Sequence, residues 1–464
     1  MKWIGSRIGS SPIRERLLRG IGATSIAPVA TAVIQLGTVP LLLHAWGAAK
    51  YGDWLILSAI PSYLSLCDLG FGDASGSDMT MRVAAGDRTG AIETFQSSLV
   101  LLAIISLCIG LIASIAVPRV PWHHWIKLAS LSDARASAVV FVLAVYVLVS
   151  QQSGILESGY RCDGNYATGA MGGTLLRLVE VASGTLAGIL TGSLVWAAAA
   201  YLISRTVGTV VYAWFLYKKS PWLSYGFNRA RWSRVKELAA PAFGFMAFPV
   251  GYALNFQGLI LVLGSRLGPV AVVSFSTLRT LSRLSSQLIG VIKNPLWPEL
   301  SRAFGAGNIA LARRLHRHAC QAALGMSILV ASFLWIFGPF VYRLWIRHGV
   351  SFDARSFHIL LMVAITNSLW DISSVIPMSF NTHLRIATTY SAAAAISLVL
   401  AWMLIIPLGI AGAAIALFFT DGWMNWVVLR TSLSDVQDDF KKFVAALFTF
   451  PQFRRPTLQA APEI

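Results

Sequence analysis

Runs of about twenty apolar or small residues alternate along this chain with short breaks rich in Lys, Arg, Gly and Pro, and about twenty residues is what a helix needs to cross a hydrocarbon layer about 30 Å thick. The runs predict twelve membrane-spanning helices, at 21–43, 52–70, 96–117, 136–156, 168–191, 194–216, 239–263, 270–291, 319–340, 357–378, 386–406 and 408–428. The expected architecture is an all-α polytopic membrane protein with two six-helix bundles, residues 1–216 and 239–428, joined by a basic linker at 217–238 and followed by a tail at 429–464. The linker, YKKSPWLSYGFNRARWSRVKEL, mixes aromatic rings with cations and reads as a surface helix against anionic headgroups. In the tail, FKKFVAALFTFPQF is too short and interrupted to span and reads as an interfacial helix. The opening MKWIGSRIGSSPIRERLLRG is too long and too charged for the basic region of a signal peptide, so the apolar stretch after it is expected to be retained.

Composition agrees with this pattern. Of 464 residues 56% are hydrophobic and 12% charged, against about 25% charged in soluble domains, and the mean hydropathy is +0.66. The net charge of +17 raises nucleic acid as a partner, but the cations gather between apolar runs rather than along one soluble face, so nucleic acid is not expected. Of 37 Lys and Arg, 25 fall in one set of alternate connections, 8 in the other and 4 within spans. Cytoplasmic connections carry the excess of Lys and Arg, which places both termini in the cytoplasm. External loops are short and leave no room for a catalytic domain, so no enzyme is expected. Cys67, Cys108, Cys162 and Cys320 show no paired spacing that would indicate a disulfide or a metal site.

An offset of 221 residues aligns Pro28 with Pro249, Gly37 with Gly258, Gly47 with Gly268 and Gly86 with Gly307, without gaps. Two halves of six helices, each entering from the same side, imply parallel repeats with a site at their interface.

Charge inside the spans is the chemical signal. TLLRLVE places Arg177 and Glu180 three residues apart, as neighbours on one helix face that partly neutralise each other. Arg205 shares a stripe with Tyr201, Thr209 and Tyr212, and Arg279 and Arg283 share one with Ser276, Thr280 and Gln287. A charge at the bilayer centre costs at least about 2.5 to 3.5 kcal/mol, so these groups are expected to face a wet cavity or a partner. Forked, permanently charged guanidiniums suit phosphate oxygens. The candidate substrate-binding residues are therefore Arg177, Arg205, Arg279 and Arg283, supported by Glu180, Gln35 and Gln287. Gln35 lies on a polar stripe with Thr24, Thr31 and Thr38 beside Pro28, and a second stripe carries Asn367, Asp371 and Ser374. Asp371 and Asp421, the latter one turn from Asn425, are candidates for coupling to H+ or Na+. No other cofactor is expected. His123 and His124 are adjacent and point apart, which does not make a metal site. RAFGAGNIALARRLHRH contains GxG without a strand before it, and there is no P-loop, so nucleotide binding is not supported.

The stretch WGAAKYGDWLILSAIPSYLSLCDLGFGDASGSDMTMRVAAGDRTGA resembles the second helix and first cytoplasmic loop of Wzx-type polysaccharide flippases, which share the MOP superfamily with MATE-type multidrug exporters. LWIRHGVSFDARSFHILLMVAITNSLW and PLGIAGAAIALFFTD are similar to later parts of that family. The resemblance implies a twelve-helix, two-bundle transporter. It implies a substrate as well, an undecaprenyl-pyrophosphate-linked oligosaccharide moved by alternating access across the bacterial inner membrane, with a polysaccharide polymerase and chain-length or export proteins as partners. The rival in the same fold is a drug/cation antiporter, whose cavity would be acidic or apolar. An O-antigen polymerase or ligase would need a long external loop.

Overall fold

The computed structural model describes residues 26–305, 307–346, 350–379 and 383–449. Among them all long elements are α-helices and no strand occurs, as expected where lipid offers no partner to backbone N–H and C=O. Ten helical stretches are long and apolar enough to cross a membrane, so the chain is a multi-pass membrane protein. The expected count of twelve differs in two places. The first two runs merge into one stretch, Thr31–Ala84, because α1 (Ile26–Ser62) is interrupted only at Gly47, at φ 72 and ψ 170. The chain turns there: the rings of Trp46 and Trp54 lie 5.8 Å apart, whereas eight residues of unbroken helix advance about 12 Å. The eighth run is too polar to count, since α9 (Pro269–Ser282) breaks at Arg283 and α10 (Leu284–Gly305) continues with Lys293 and Glu299. Thr24, residues 1–25 as a whole and the end of the tail from 450 lie outside the described residues.

The first half continues with α2 (Phe71–Ala84), α3 (Arg88–Ala116), α4 (Asp133–Cys162), α5 (Tyr166–Thr191) and α6 (Leu194–Lys219). Asp87 caps α3 by accepting from Gly90 N at 2.8 Å, which satisfies a donor the helix leaves open. Helices α4, α5 and α6 pack on one another, and α2 and α3 lie against α4. The second half opens with α7 (Trp232–Ala253), a π-turn at Leu254–Gly258 and α8 (Leu259–Leu267). After α9 and α10 come α11 (Ile309–Ile346), α12 (Ala354–Ser373), α13 (Val375–Ser379), α14 (His383–Leu408), α15 (Ile410–Asp435) and α16 (Phe440–Phe448). α16 lies on α11 and buries Phe443 against the His316 ring, 5.4 Å away.

Among the glycines at the 221-residue offset, one pair shares both backbone angles and a second shares a positive φ. Gly268 stands at φ 85 and ψ −178, beside Gly47 at φ 72 and ψ 170, and Gly86 and Gly307 stand at φ 81 and φ 67. Positive φ with extended ψ is reached in practice only by glycine.

The halves meet along α1 and α9, and α7 of the second half also packs on α2 and α3, with Val235, Leu238 and Ala242 against Phe71 and Ala74. At the end marked by Gly47 they are tightly closed. Lys127 Nζ donates to Arg266 O at 2.8 Å, Ile56 packs on Gly264, and Gly52 lies so close to Pro269 that a Cβ there would stand 2.3 Å from its carbonyl oxygen. Trp345 Nε1 also donates to Leu36 O at 2.7 Å; Pro40 has no N–H, so this carbonyl lacks its helical partner. Toward the opposite end, α2 to α6 have no substantial packing against α9 to α15 among the described residues.

The 217–238 connection departs from the expected surface helix. α6 ends at Lys219, residues 220–231 form turns, and α7 begins at Trp232. Pro221 and Gly226 break helical continuity, and side chains of the first half replace the lost backbone bonds. Gln96 Nε2 donates to Ser224 O at 2.9 Å, Gln96 Oε1 accepts from Arg229 N at 2.9 Å, and Ser97 Oγ accepts from Arg231 N at 2.8 Å. Arg231 and Arg234 both pair with Glu93.

Candidate functional site

Two polar cavities contain most of the residues singled out from the sequence. The first lies in the second half and is lined by Asn255 and Phe256 of the π-turn, Arg279, Arg283 and Gln287 of α9 and α10, Asn367 and Asp371 of α12, and Asp421 of α15. Spacing of four residues puts Arg279, Arg283 and Gln287 in line on one side of the helix.

Arg279 is buried, 9% exposed, and donates from Nη2 to Asn255 O at 3.2 Å. Its guanidinium carbon sits 3.9 Å from the centre of the Phe256 ring, and that of Arg283 sits 4.3 Å from the same ring. Neither arginine pairs with a carboxylate among the described residues, although two carboxylates line the cavity with them. Asp371 is held by Lys293, Nζ to Oδ1 at 2.6 Å. Asp421 Oδ1 accepts from Asn367 Nδ2 at 3.0 Å and from Trp370 Nε1 at 2.7 Å. Gln287 Nε2 donates to Gln35 Oε1 at 2.8 Å, joining this cavity to α1 of the first half. Among the described residues the buried Oε1 of Gln287 and Oδ1 of Asn255 have no hydrogen-bond partner.

The second cavity lies in the first half and is lined by Thr31, Ser153, Thr174, Arg177 and Arg205. Here the expected neighbour pair is replaced. Glu180 turns into the junction of α4, α5 and α6 and takes Arg205 rather than Arg177: Nη2 donates to Oε2 at 2.8 Å, while Nε approaches Oε1 at 2.7 Å, too obliquely for a hydrogen bond. Tyr146 OH donates to Glu180 Oε2 at 3.0 Å, and Ser153 Oγ accepts from Arg205 Nη1 at 3.2 Å. Arg177, one turn back on α5, is exposed and has no hydrogen bond or salt bridge among the described residues. The physical reason is depth. A fully buried carboxylate must be neutralised where it lies, and only Arg205, arriving from α6, reaches it there.

Lys293, Asn255, Phe256 and Tyr146 complete these sites and were not singled out from the sequence. Asn255 was visible as a polar residue in an apolar run. Lys293 was counted among the cations of a connection, because helix α10 extends past the apolar run that defined its span. Chemically, the second-half cavity offers two fixed cations that make no salt bridge with a carboxylate among the described residues, suited to a group with several anionic oxygens.

This geometry sits in the fold of a membrane transporter. No protein-family model matches the chain, and no curated protein matches it. Among solved structures it is similar to a multidrug resistance MATE family transporter of the MOP superfamily in an inward-facing conformation, with TM-score 0.72 and 14% identity over 89% of this chain and 98% of that one. It is also similar to an outward-facing MATE family transporter, with TM-score 0.63 and 16% identity over 92% and 96%. A third is a MOP superfamily transporter from Pyrococcus furiosus, described as having a binding pocket of reverse polarity that suggests a different function, with TM-score 0.64 and 15% identity over 92% and 96%. The fold is thus that of MATE family transporters.

Proposed function

We propose that the chain is a flippase that carries an undecaprenyl-pyrophosphate-linked oligosaccharide across the bacterial inner membrane, for a polysaccharide polymerase and chain-length or export proteins acting afterwards. The observation that carries this reading is the pair Arg279 and Arg283, two cations lining one cavity with no salt bridge from either to a carboxylate among the described residues. A drug cation would be repelled there, whereas a pyrophosphate has oxygens for both forks. Residues 1–216 and 239–428 act as the two bundles, with 217–238 as linker and 429–464 as tail, and the linker end and both termini face the cytoplasm. Closure at the Gly47 end then corresponds to a state open to the cytoplasm, and the better overlay on the inward-facing neighbour, 0.72 against 0.63, supports it. The reversed pocket polarity described for the Pyrococcus furiosus transporter supports reading charge as a guide to substrate within this fold.

A second reading, a MATE-type drug/cation antiporter coupled to H+ or Na+, is favoured by one observation: Asp421, bound only by neutral donors, lines the same cavity. Transbilayer movement measured in proteoliposomes separates the two. Flipping of the lipid-linked oligosaccharide by wild type, lost in Arg279→Ala with Arg283→Ala, supports the flippase. Cationic-drug efflux that survives the double substitution, with no lipid movement, overturns it.

A further inference from the structure

Two arginines one helical turn apart repel each other, and the more so when buried. Something has to hold them together; Asp421 attracts both across the cavity but bonds to Asn367 and Trp370, and among the described residues no carboxylate makes a salt bridge with either arginine. The holding groups come instead from the π-turn at Leu254–Gly258. A π-turn carries an extra residue, so the helix faces on either side are offset by about 100° and a backbone carbonyl is released from its ordinary i+4 partner. Asn255 O receives Arg279 Nη2 at 3.2 Å. The next residue, Phe256, lies against both guanidiniums at 3.9 and 4.3 Å. Tyr252 stacks behind it, ring centres 5.2 Å apart and planes 10° off parallel. Gly251 and Gly258 flank the turn and let α14 approach, since a Cβ on Gly251 would stand 2.4 Å from Tyr390 and one on Gly258 2.7 Å from Leu398.

We propose that Phe256 is a positioning residue that holds Arg279 and Arg283 in one anion-binding site by its ring face, an inference that rests on the anionic-substrate reading of this cavity. A carboxylate in the same place would bind the arginines more strongly, but it would cancel the charge and compete with the incoming anion. An aromatic face attracts cations through its quadrupole and carries no net charge. It keeps the two forks close without occupying their N–H groups, of which only one on Arg279 Nη2 goes to Asn255 O among the described residues. The Asn255 carbonyl fixes Arg279 in the same way, by a dipole rather than an ion. The π-turn thus sets both the position of the arginines and their readiness for a ligand.

The test uses the full-length protein in lipid nanodiscs and titrates it with inorganic pyrophosphate. Wild type is expected to bind, Arg279→Ala with Arg283→Ala to lose binding, and Phe256→Leu to weaken it by about tenfold. Phe256→Trp is expected to restore it to within about threefold of wild type. Replacing Phe256 by mono-, di- and trifluorophenylalanine keeps the shape and drains the ring face step by step, so affinity should fall in step with fluorination; a ring that merely fills space would leave it constant. Wild-type binding that depends on the arginines but is unchanged across the fluorinated series overturns the role of Phe256 and leaves the anion site standing. No pyrophosphate binding by wild type overturns both.

Discussion

Glu180 on α5 is bonded to Arg205 on α6, Oε2 to Nη2 at 2.8 Å, and not to Arg177 on its own helix. Glu180 is fully inaccessible and Arg205 partly exposed to the cavity, and Tyr146 and Ser153 complete the pair. Arg205 is thereby a part of the first-half frame, while Arg177, Arg279 and Arg283 make no salt bridge with a carboxylate among the described residues.

Removing one member of this pair should damage folding more than transport. Arg205→Ala leaves the buried Glu180 carboxylate without its partner, at a cost of about 3 to 5 kcal/mol; Glu180→Ala leaves a part-exposed guanidinium and should cost less, and both should lower yield and melting temperature in detergent. Glu180→Leu with Arg205→Met should be more stable than either single variant and should still flip substrate. An Arg205→Met protein that is as stable as wild type and yet inactive would make Arg205 a ligand instead.

Arg177 should behave in the opposite way. It is exposed in its cavity and bonds to no neighbour, so Arg177→Ala should melt within about 0.5 kcal/mol of wild type. Transport of an anionic lipid-linked substrate should nonetheless fall several-fold, which initial rates in proteoliposomes will report. Loss of folded protein in Arg177→Ala would place it in the frame.

The two acidic candidates for ion coupling should also separate. Asp371 is spent on Lys293, whereas the Asp421 carboxylate is hydrogen-bonded to the neutral donors of Asn367 and Trp370. Asp421→Asn should abolish any stimulation of transport by a pH or Na+ gradient and leave the protein folded. Asp371→Asn should keep the gradient response and lose stability, because Lys293 is left alone. Gradient response that persists in Asp421→Asn removes it from coupling.

Trp345 joins the halves through the carbonyl that Pro40 leaves open at Leu36. Trp345→Phe keeps the ring and removes the donor, so the closed state should lose about 1 kcal/mol, a shift of about fivefold toward opening at the Gly47 end. Spin labels at 124 and 267, both at that end, should then show a larger population of long distances by pulsed electron resonance. An unchanged distance distribution would mean that the bond does not hold the halves.

Much of the second-half cavity was legible in the chain, because lipid makes polar residues conspicuous. Arg279, Arg283 and Gln287 stand out from an apolar run at helical spacing, as do Asn367, Asp371 and Asp421 in theirs. What was hidden depends on separate helices meeting. Glu180 and Arg205 are 25 residues apart in sequence, and Lys293 and Asp371 are 78 apart; spacing along one helix favours the nearer partner and says nothing about the other. The 217–238 connection was misread as a helix because its aromatic and basic pattern is that of a surface helix, while the groups that keep it in turns, Gln96 and Ser97, lie on α3. The π-turn has no sequence signature beyond Asn255 and two glycines.

Gly47 and Gly268 carry almost the same backbone angles 221 residues apart, in halves whose side chains have otherwise diverged. A conformation that only one residue type tolerates changes more slowly than any contact built from side chains, since nearly every substitution there is rejected. The two turns are therefore where a duplication of the halves would leave its most durable trace. Among distant relatives, the ancestral halves should remain traceable through such glycine positions after identity elsewhere has fallen to chance.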